Sequence, residues 1–266
     1  MEGRGWLESL ELPEEERETV DSSLRQVDFL EGEIAAADRV IATDALASAE
    51  VRRLMTVPGV NVITAATFMA ATGEVSRFRS PRRLTGYLGL DPRVRQSGSA
   101  PAAHGRISKQ GSAPARYALC EAAWSVVRQP GPLRAFYERV RFRRGHQVAI
   151  VATARKLACL FWCLLTREED YAYAQPSLTR KKLRRLELTA GAERGKVAPG
   201  LWAANKAMRR AERELARQAE VAYKRTVADW RAQKGKKGAG ATPGRASRGP
   251  SSGQAARQAS APGPAL

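Results

Sequence analysis

Gln147-Val-Ala-Ile-Val-Ala-Thr-Ala-Arg-Lys-Leu-Ala-Cys-Leu-Phe-Trp-Cys-Leu-Leu-Thr166 decides the fold class. Val151, Ala154, Leu157, Ala158, Phe161 and Leu165 recur at three-and-four spacing, which predicts one apolar helix face, with Arg155 and Lys156 off it. The unbroken apolar run, Leu157 to Leu165, falls short of the roughly 20 residues a membrane span requires, so a core helix is expected and no membrane partner. Working outward, Pro132–Arg143 carries Leu133, Phe136, Tyr137 and Val140 on one face, and Pro114–Arg128, Pro81–Leu88 and Ile63–Ala71 read as further helices. Ser80-Pro81 is a start signal, a capping hydroxyl followed by proline at the first helical position. Strand-like alternation is scarce, so the chain reads as mostly α, with a compact helical domain over residues 51–190.

The flanks differ from this core. Glu14 to Leu54 reads as one long amphipathic helix, with Val20, Leu24, Val27, Leu30, Ile34, Ala37, Ile41, Val51 and Leu54 in a narrow stripe. Pro13 and Glu14 to Glu16 suit its start, with carboxylates at the positive end of the helix dipole. Residues 1–50 therefore form an acidic, coiled-coil-like segment that wants a partner helix, and a homo-oligomer, dimer or tetramer, is expected. Residues 191–233 read as a basic helical extension, in which Leu201, Met208, Leu215 and Ala222 recur every seven residues. Residues 234–266 are Gly, Ala, Ser and Pro mixed with Lys and Arg, a composition expected to form a disordered basic tail.

The formal net charge of +18 is the footprint of a polyanionic partner. It is segregated: residues 1–50 hold fourteen acidic groups against four arginines, whereas residues 75–146 hold fourteen arginines and Lys109 against Asp91, Glu121 and Glu138. The second segment is the one suited to phosphate. Cys120, Cys159, Cys163, His104 and His146 are too few and too scattered for a zinc site, so no metal is assigned, and Cys159 and Cys163, four apart in the apolar run, read as reduced core thiols. The amino terminus has no apolar leader, and a cytoplasmic, nucleoid-associated location is expected.

Two stretches carry candidate chemistry. Val57-Pro58-Gly59-Val60-Asn61 before an apolar helix has the form of a helix-hairpin-helix turn, in which backbone amides meet a phosphate; Pro58, Gly59 and Asn61 are its candidate contacts, and an ordinary core turn is the alternative. Tyr87-Leu-Gly-Leu-Asp-Pro-Arg-Val-Arg-Gln-Ser97-Gly98-Ser99, continuing to His104-Gly-Arg-Ile-Ser108-Lys109-Gln-Gly111, reads as a Gly- and Arg-rich loop between helices. Ser97 beside Gly98, near Arg93, Arg95, Arg106, Lys109 and Arg116, is the setting in which a hydroxyl can attack a phosphodiester while guanidinium groups hold its charge. His104 is the nearest candidate base, and a turn serine with a loop histidine is the alternative.

Leu54-Met-Thr-Val-Pro-Gly-Val, Phe78-Arg-Ser-Pro-Arg-Arg-Leu-Thr-Gly-Tyr-Leu-Gly-Leu-Asp-Pro92, Ser97-Gly98, Gly105-Arg-Ile-Ser-Lys-Gln-Gly111 and Glu121-Ala-Ala-Trp124, in that order, resemble the carboxy-terminal transposase domain of the insertion-sequence one-ten family. The resemblance covers about residues 50–190. It implies a DNA transposase that cuts and transfers strands through a phosphoserine intermediate, with Ser97 as nucleophile and Ser99 next in line. It further implies a resolvase-like amino-terminal half whose acidic residues hold magnesium, and, in RNA-guided members, a bridging noncoding RNA. Only about 50 helical residues precede the Pro-Gly turn here, so the chain reads as a truncated or split copy, catalytically incomplete alone, with no cofactor of its own. Two other classes fit the residues: a non-catalytic DNA- or RNA-binding remnant, and a helical interaction protein.

Overall fold

The computed structural model describes residues 2–99, 101–195 and 201–239, and it is mostly α. The chain divides into a unit of residues 1–225 and a second of residues 226–266, of which residues 226–239 are helical.

In the first unit the order is α1 (Glu2–Ser9), α2 (Glu14–Ala47), α3 (Ala49–Met55), α4 (Val62–Thr72), a 3-10 turn at Val75–Arg77, α5 (Pro81–Tyr87), β1 (Pro92–Arg95), β2 (Ala103–Ile107), α6 (Ala113–Val126), α7 (Pro132–Arg144), α8 (His146–Arg167) and α9 (Pro176–Thr189); α10 is Leu201–Ala239. Helix α8 is the centre of the core and packs against α3, α5, α6 and α7. Leu157, Ala158 and Phe161 are wholly buried, and the Phe161 ring meets Phe68 of α4 edge-on with centroids 5.0 Å apart. Each large side chain so buried stabilises the fold by about 1.5–3 kcal/mol, so this one helix supplies much of the driving force. The buried face begins two residues earlier than the spacing predicts: Ala149, Ile150 and Thr153 are buried and Val151 is half-buried. At 22 residues α8 is long and apolar enough to cross a membrane by length and composition, which the shorter apolar run did not convey, yet three neighbouring helices and α3 occupy its apolar surface.

The five expected core helices lie within two residues of their predicted ends. Ser80 caps α5, its hydroxyl accepting from the Arg83 amide at 3.4 Å, and Pro81 sits at the first helical position. The expected single helix from Glu14 to Leu54 is instead two, because Ser48 leaves the helical conformation and caps α3 by accepting from the Val51 amide at 3.2 Å. Helix α1, absent from the expectation, is tied to α2: Arg4 pairs with Asp28, and the Arg17 guanidinium donates to the Leu7 carbonyl at 3.1 Å. Only the carboxy-terminal end of α2 enters the core, through Ala42 and Ala45; Val27, Leu30, Ile34 and Ala37 face solvent.

Helix α10 extends past residue 233, so the tail expected from 234 begins within it, and residues 240–266 lie outside those described. Its acids anchor it in the first unit. Glu212 accepts from the Ser177 amide at 2.9 Å at the start of α9, and Glu220 accepts from the Gly131 amide at 3.1 Å at the start of α7. Each carboxylate satisfies an amide that a helix amino terminus leaves unpaired.

Candidate nucleic-acid interface

The stretch expected as a loop between α5 and α6 is an antiparallel β-ribbon, with Pro92 opposite Ile107, Val94 opposite His104 and Arg95 opposite Ala103, and an irregularity between Pro92 and Val94. Two strands alone are marginal in water, so the ribbon depends on its root. There the chain segments at Tyr87–Leu90 and Ser108–Gly111 interlock. The Lys109 amide donates to the Gly89 carbonyl at 3.1 Å, and the Ser108 amide to the Asp91 carbonyl at 2.9 Å. A Cβ on Gly89 would lie 2.1 Å from the Gln110 carbonyl oxygen, and one on Gly111 2.0 Å from that of Tyr87; both glycines have positive φ. Leu88 and Leu90, flanking Gly89, are wholly buried, which fixes the root to the core.

Four polar side chains brace the same place. The Asp91 carboxylate accepts from the Thr85 hydroxyl at 2.8 Å and from Arg155 Nε of α8 at 2.8 Å. The Arg116 guanidinium donates to the carbonyls of Leu88 at 3.2 Å and Gly111 at 2.9 Å. Arg116, expected as a phosphate contact, is thus half-buried and committed to the backbone. Arg155 and Thr85 are the functional candidates that sequence reading missed, although Arg155 falling off the apolar face of its helix was a signal for a polar role.

Above the root, Arg93, Arg95, Arg106 and Lys109 line one open pocket of about 460 Å³ together with Ala103, Gly105 and Ile107. Lys109 holds a left-handed conformation, φ 58°, unusual for a residue with a Cβ. Arg93 also donates to the Ser108 carbonyl at 3.2 Å, which steers one guanidinium across the ribbon. Ser97, Gly98 and Ser99 are exposed beyond the end of β1, and Gly98 has φ +57° with open space around it. Ser97 lies beyond the residues that line the pocket. The backbone of His104 is in β2; its side chain lies outside the described ones.

The Pro-Gly turn faces inward. Pro58 is buried, and a Cβ on Gly59, at φ +90°, would lie 2.6 Å from the Val126 amide nitrogen of α6. Asn61 is exposed and caps α4, accepting from the Thr64 amide at 2.9 Å. Lys182 of α9 reaches the same turn from below, donating to the carbonyls of Met55 at 2.6 Å and Val57 at 2.9 Å. Burial lowers the Lys182 ammonium to about 8. The visible duty of Pro58 and Gly59 is to seat α3 and α4 on α6 and α9.

Among the described residues no three His, Cys, Asp or Glu side chains converge, so no acid set fits the magnesium that the resemblance assigns to a resolvase-like half. Burial pushes the Cys120 and Cys159 thiols up, away from thiolate reactivity.

Residues 51–138, from α3 to α7 and including the whole ribbon, match the model of the Transposase IS116/IS110/IS902 family. In this segment the chain is similar to the transposase domain of that family. It is 35% identical over 135 residues to the transposase for insertion sequence element IS1111A of Coxiella burnetii, covering 48% of this chain and 36% of that protein. A probable family 20 transposase of Pseudomonas aeruginosa is 33% identical over 150 residues, 55% of this chain and 44% of the relative. The insertion element IS116 uncharacterized 44.8 kDa protein of Streptomyces clavuligerus is 26% identical over 171 residues, 62% and 42% of the two chains. The chain thus spans less than half the length of these relatives. The matched transposase domain ends before α8, so Arg155, which braces the ribbon, is supplied from outside the matched segment.

Proposed function

We propose that the transposase domain binds DNA along its ribbon and transfers strands through Ser97. The observation that carries this reading is the gathering of Arg93, Arg95, Arg106 and Lys109 around one pocket, on a ribbon that ends in an exposed serine. Four cations around one cavity neutralise a phosphodiester and the charge that builds at phosphorus in the transition state. The Ser97 hydroxyl gives up its proton as Oγ bonds to phosphorus; the bond from phosphorus to the leaving sugar oxygen breaks, and that oxygen departs as an alcohol on taking a proton. The phosphoester is conserved, so a second sugar hydroxyl can reverse the step and join new ends. Flexibility at Gly98 lets the hydroxyl reach beyond the pocket.

Members of the family named as transposases point to the same substrate, and a cytoplasmic site of action follows from it. A bridging RNA is a second candidate partner for the basic surface. The exposed stripe of Val27, Leu30, Ile34 and Ala37 on α2 suits pairing with another copy, because spacing of three and four is what a coiled-coil seam requires. A non-catalytic binder would use the same cations without the serine. The test is DNA binding by Arg93→Glu and Arg95→Glu across a salt series: the reading expects weaker binding and a shallower salt dependence, and unchanged binding would exclude the ribbon as the DNA surface.

A further inference from the structure

The corner where α7 meets α8 carries an aromatic and cationic surface that the ribbon does not use. Phe142 is 93% exposed, more than any other large hydrophobic among the described residues, although it stands in the last turn of an ordered helix. Arg141, Arg143 and Arg144 flank it in sequence in the same turn of the helix and are all exposed. From Arg128 to Val148 the sequence holds six arginines and one acid, Glu138, whose carboxylate lies 3.5 Å from Arg141. Four residues beyond Phe142, the His146 ring packs on Trp124 with centroids 4.5 Å apart, and Trp124 and Val148 remain partly open to solvent.

Arginines in a last turn complement the helix dipole, and that accounts for some of the charge. It does not account for a bare phenyl ring among them. A protein partner for an apolar ring would bring apolar or acidic surface, whereas a cluster with this excess of guanidinium groups is complementary to a polyanion that also presents flat apolar faces. A nucleic-acid strand with unpaired bases has both. Duplex DNA hides its base faces in the stack, so the ring has no counterpart there.

We infer that the α7–α8 corner is a binding site for single-stranded nucleic acid, in which Phe142 stacks on an unpaired base while Arg141, Arg143 and Arg144 contact the flanking phosphates. This surface is separate from the ribbon and does not depend on the serine reading. Base faces and phosphates are common to DNA and RNA, and no contact here addresses the sugar, so both kinds of strand bind.

Fluorescence anisotropy of the full chain with labelled oligo(dT), oligo(U) and a duplex of equal length tests it. Phe142→Ala weakens oligo(dT) and oligo(U) by about tenfold, Phe142→Trp restores both, and duplex affinity stays near that of the unmodified chain. Arg143→Glu with Arg144→Glu weakens single strands and flattens their salt dependence. Because the ring touches so little, thermal unfolding of Phe142→Ala matches the unmodified chain. Equal loss for duplex and single strand, no loss for either, or a changed oligomeric state in Phe142→Ala overturns the assignment, the last marking Phe142 as a contact between copies. Binding of oligo(U) alone would contradict the sugar-blind mode.

Discussion

Arg155 Nε on α8 lies 2.8 Å from Asp91 Oδ1, so the core helix holds the first residue before the ribbon. The two side chains are 39% and 34% exposed, and an ion pair that open to water contributes at most about 1 kcal/mol to stability. Its consequence is directional. Arg155→Ala is expected to leave the thermal midpoint within a few degrees while amide exchange across residues 92–107 accelerates and DNA affinity falls. Slow, unchanged exchange in the ribbon would show that Gly89 and Gly111 hold it unaided.

Gly89 and Gly111 are the sharper constraint. Either one changed to Ala places a methyl near 2 Å from a backbone oxygen at positive φ, and the backbone must move, a cost of more than about 2 kcal/mol. Gly98→Ala is the internal comparison: φ is also positive, at +57°, but nothing lies within 4 Å, so the cost is only about 1 kcal/mol. Urea unfolding of the three variants checks the order; a Gly98 effect as large as the others would remove the interlocked root from the account.

Lys182 supplies a pH signature. Its ammonium is depressed to about 8 when folded and returns to the ordinary 10.5 when unfolded. Between these values the unfolded chain binds more protons, so stability rises with pH, by at most about 1.4 kcal/mol per pH unit. Below about pH 8 both forms are charged and this contribution is flat. Lys182→Met is expected to abolish the rise, as read from chemical denaturation between pH 7 and about 10.5.

Glu220 and Glu212 fix α10 through the helix starts at Gly131 and Ser177. Burial pushes the Glu220 carboxyl up, but the Lys224 ammonium and the Gly131 amide outweigh it and hold it below the usual range. Glu220→Ala leaves the Gly131 amide unpaired, at a cost of about 1–3 kcal/mol, and limited proteolysis should then cut residues 204–225 sooner. Equal protease resistance would mean that packing, not these carboxylates, retains the helix.

The helices were legible because their signals are local. Ser80-Pro81 starts α5 where it should, and the stripe through Leu157 and Phe161 marks the core whatever packs on it. The ribbon was not legible. Its first strand is four residues, Pro-Arg-Val-Arg, and what forces it straight is the contact of Gly89 with Gln110, twenty-one positions away in sequence. Ser48 broke a pattern whose apolar spacing ran through it, since a capping hydroxyl competes with helix only when the next helix has somewhere to pack. The candidate cations were legible as a group, but not their division of labour. Arg116 and Arg93 look alike in sequence; one braces Leu88 and Gly111, the other lines the pocket.

The most direct measurement is mass spectrometry of the chain after reaction with nicked DNA, with a resolvase-like domain supplied by a full-length relative. The account predicts a nucleotide bonded to the peptide that contains Ser97, lost in Ser97→Ala and retained in Ser99→Ala. A linkage that persists in Ser97→Ala, or DNA that is bound by the ribbon yet never joined to it, would contradict the nucleophile assignment.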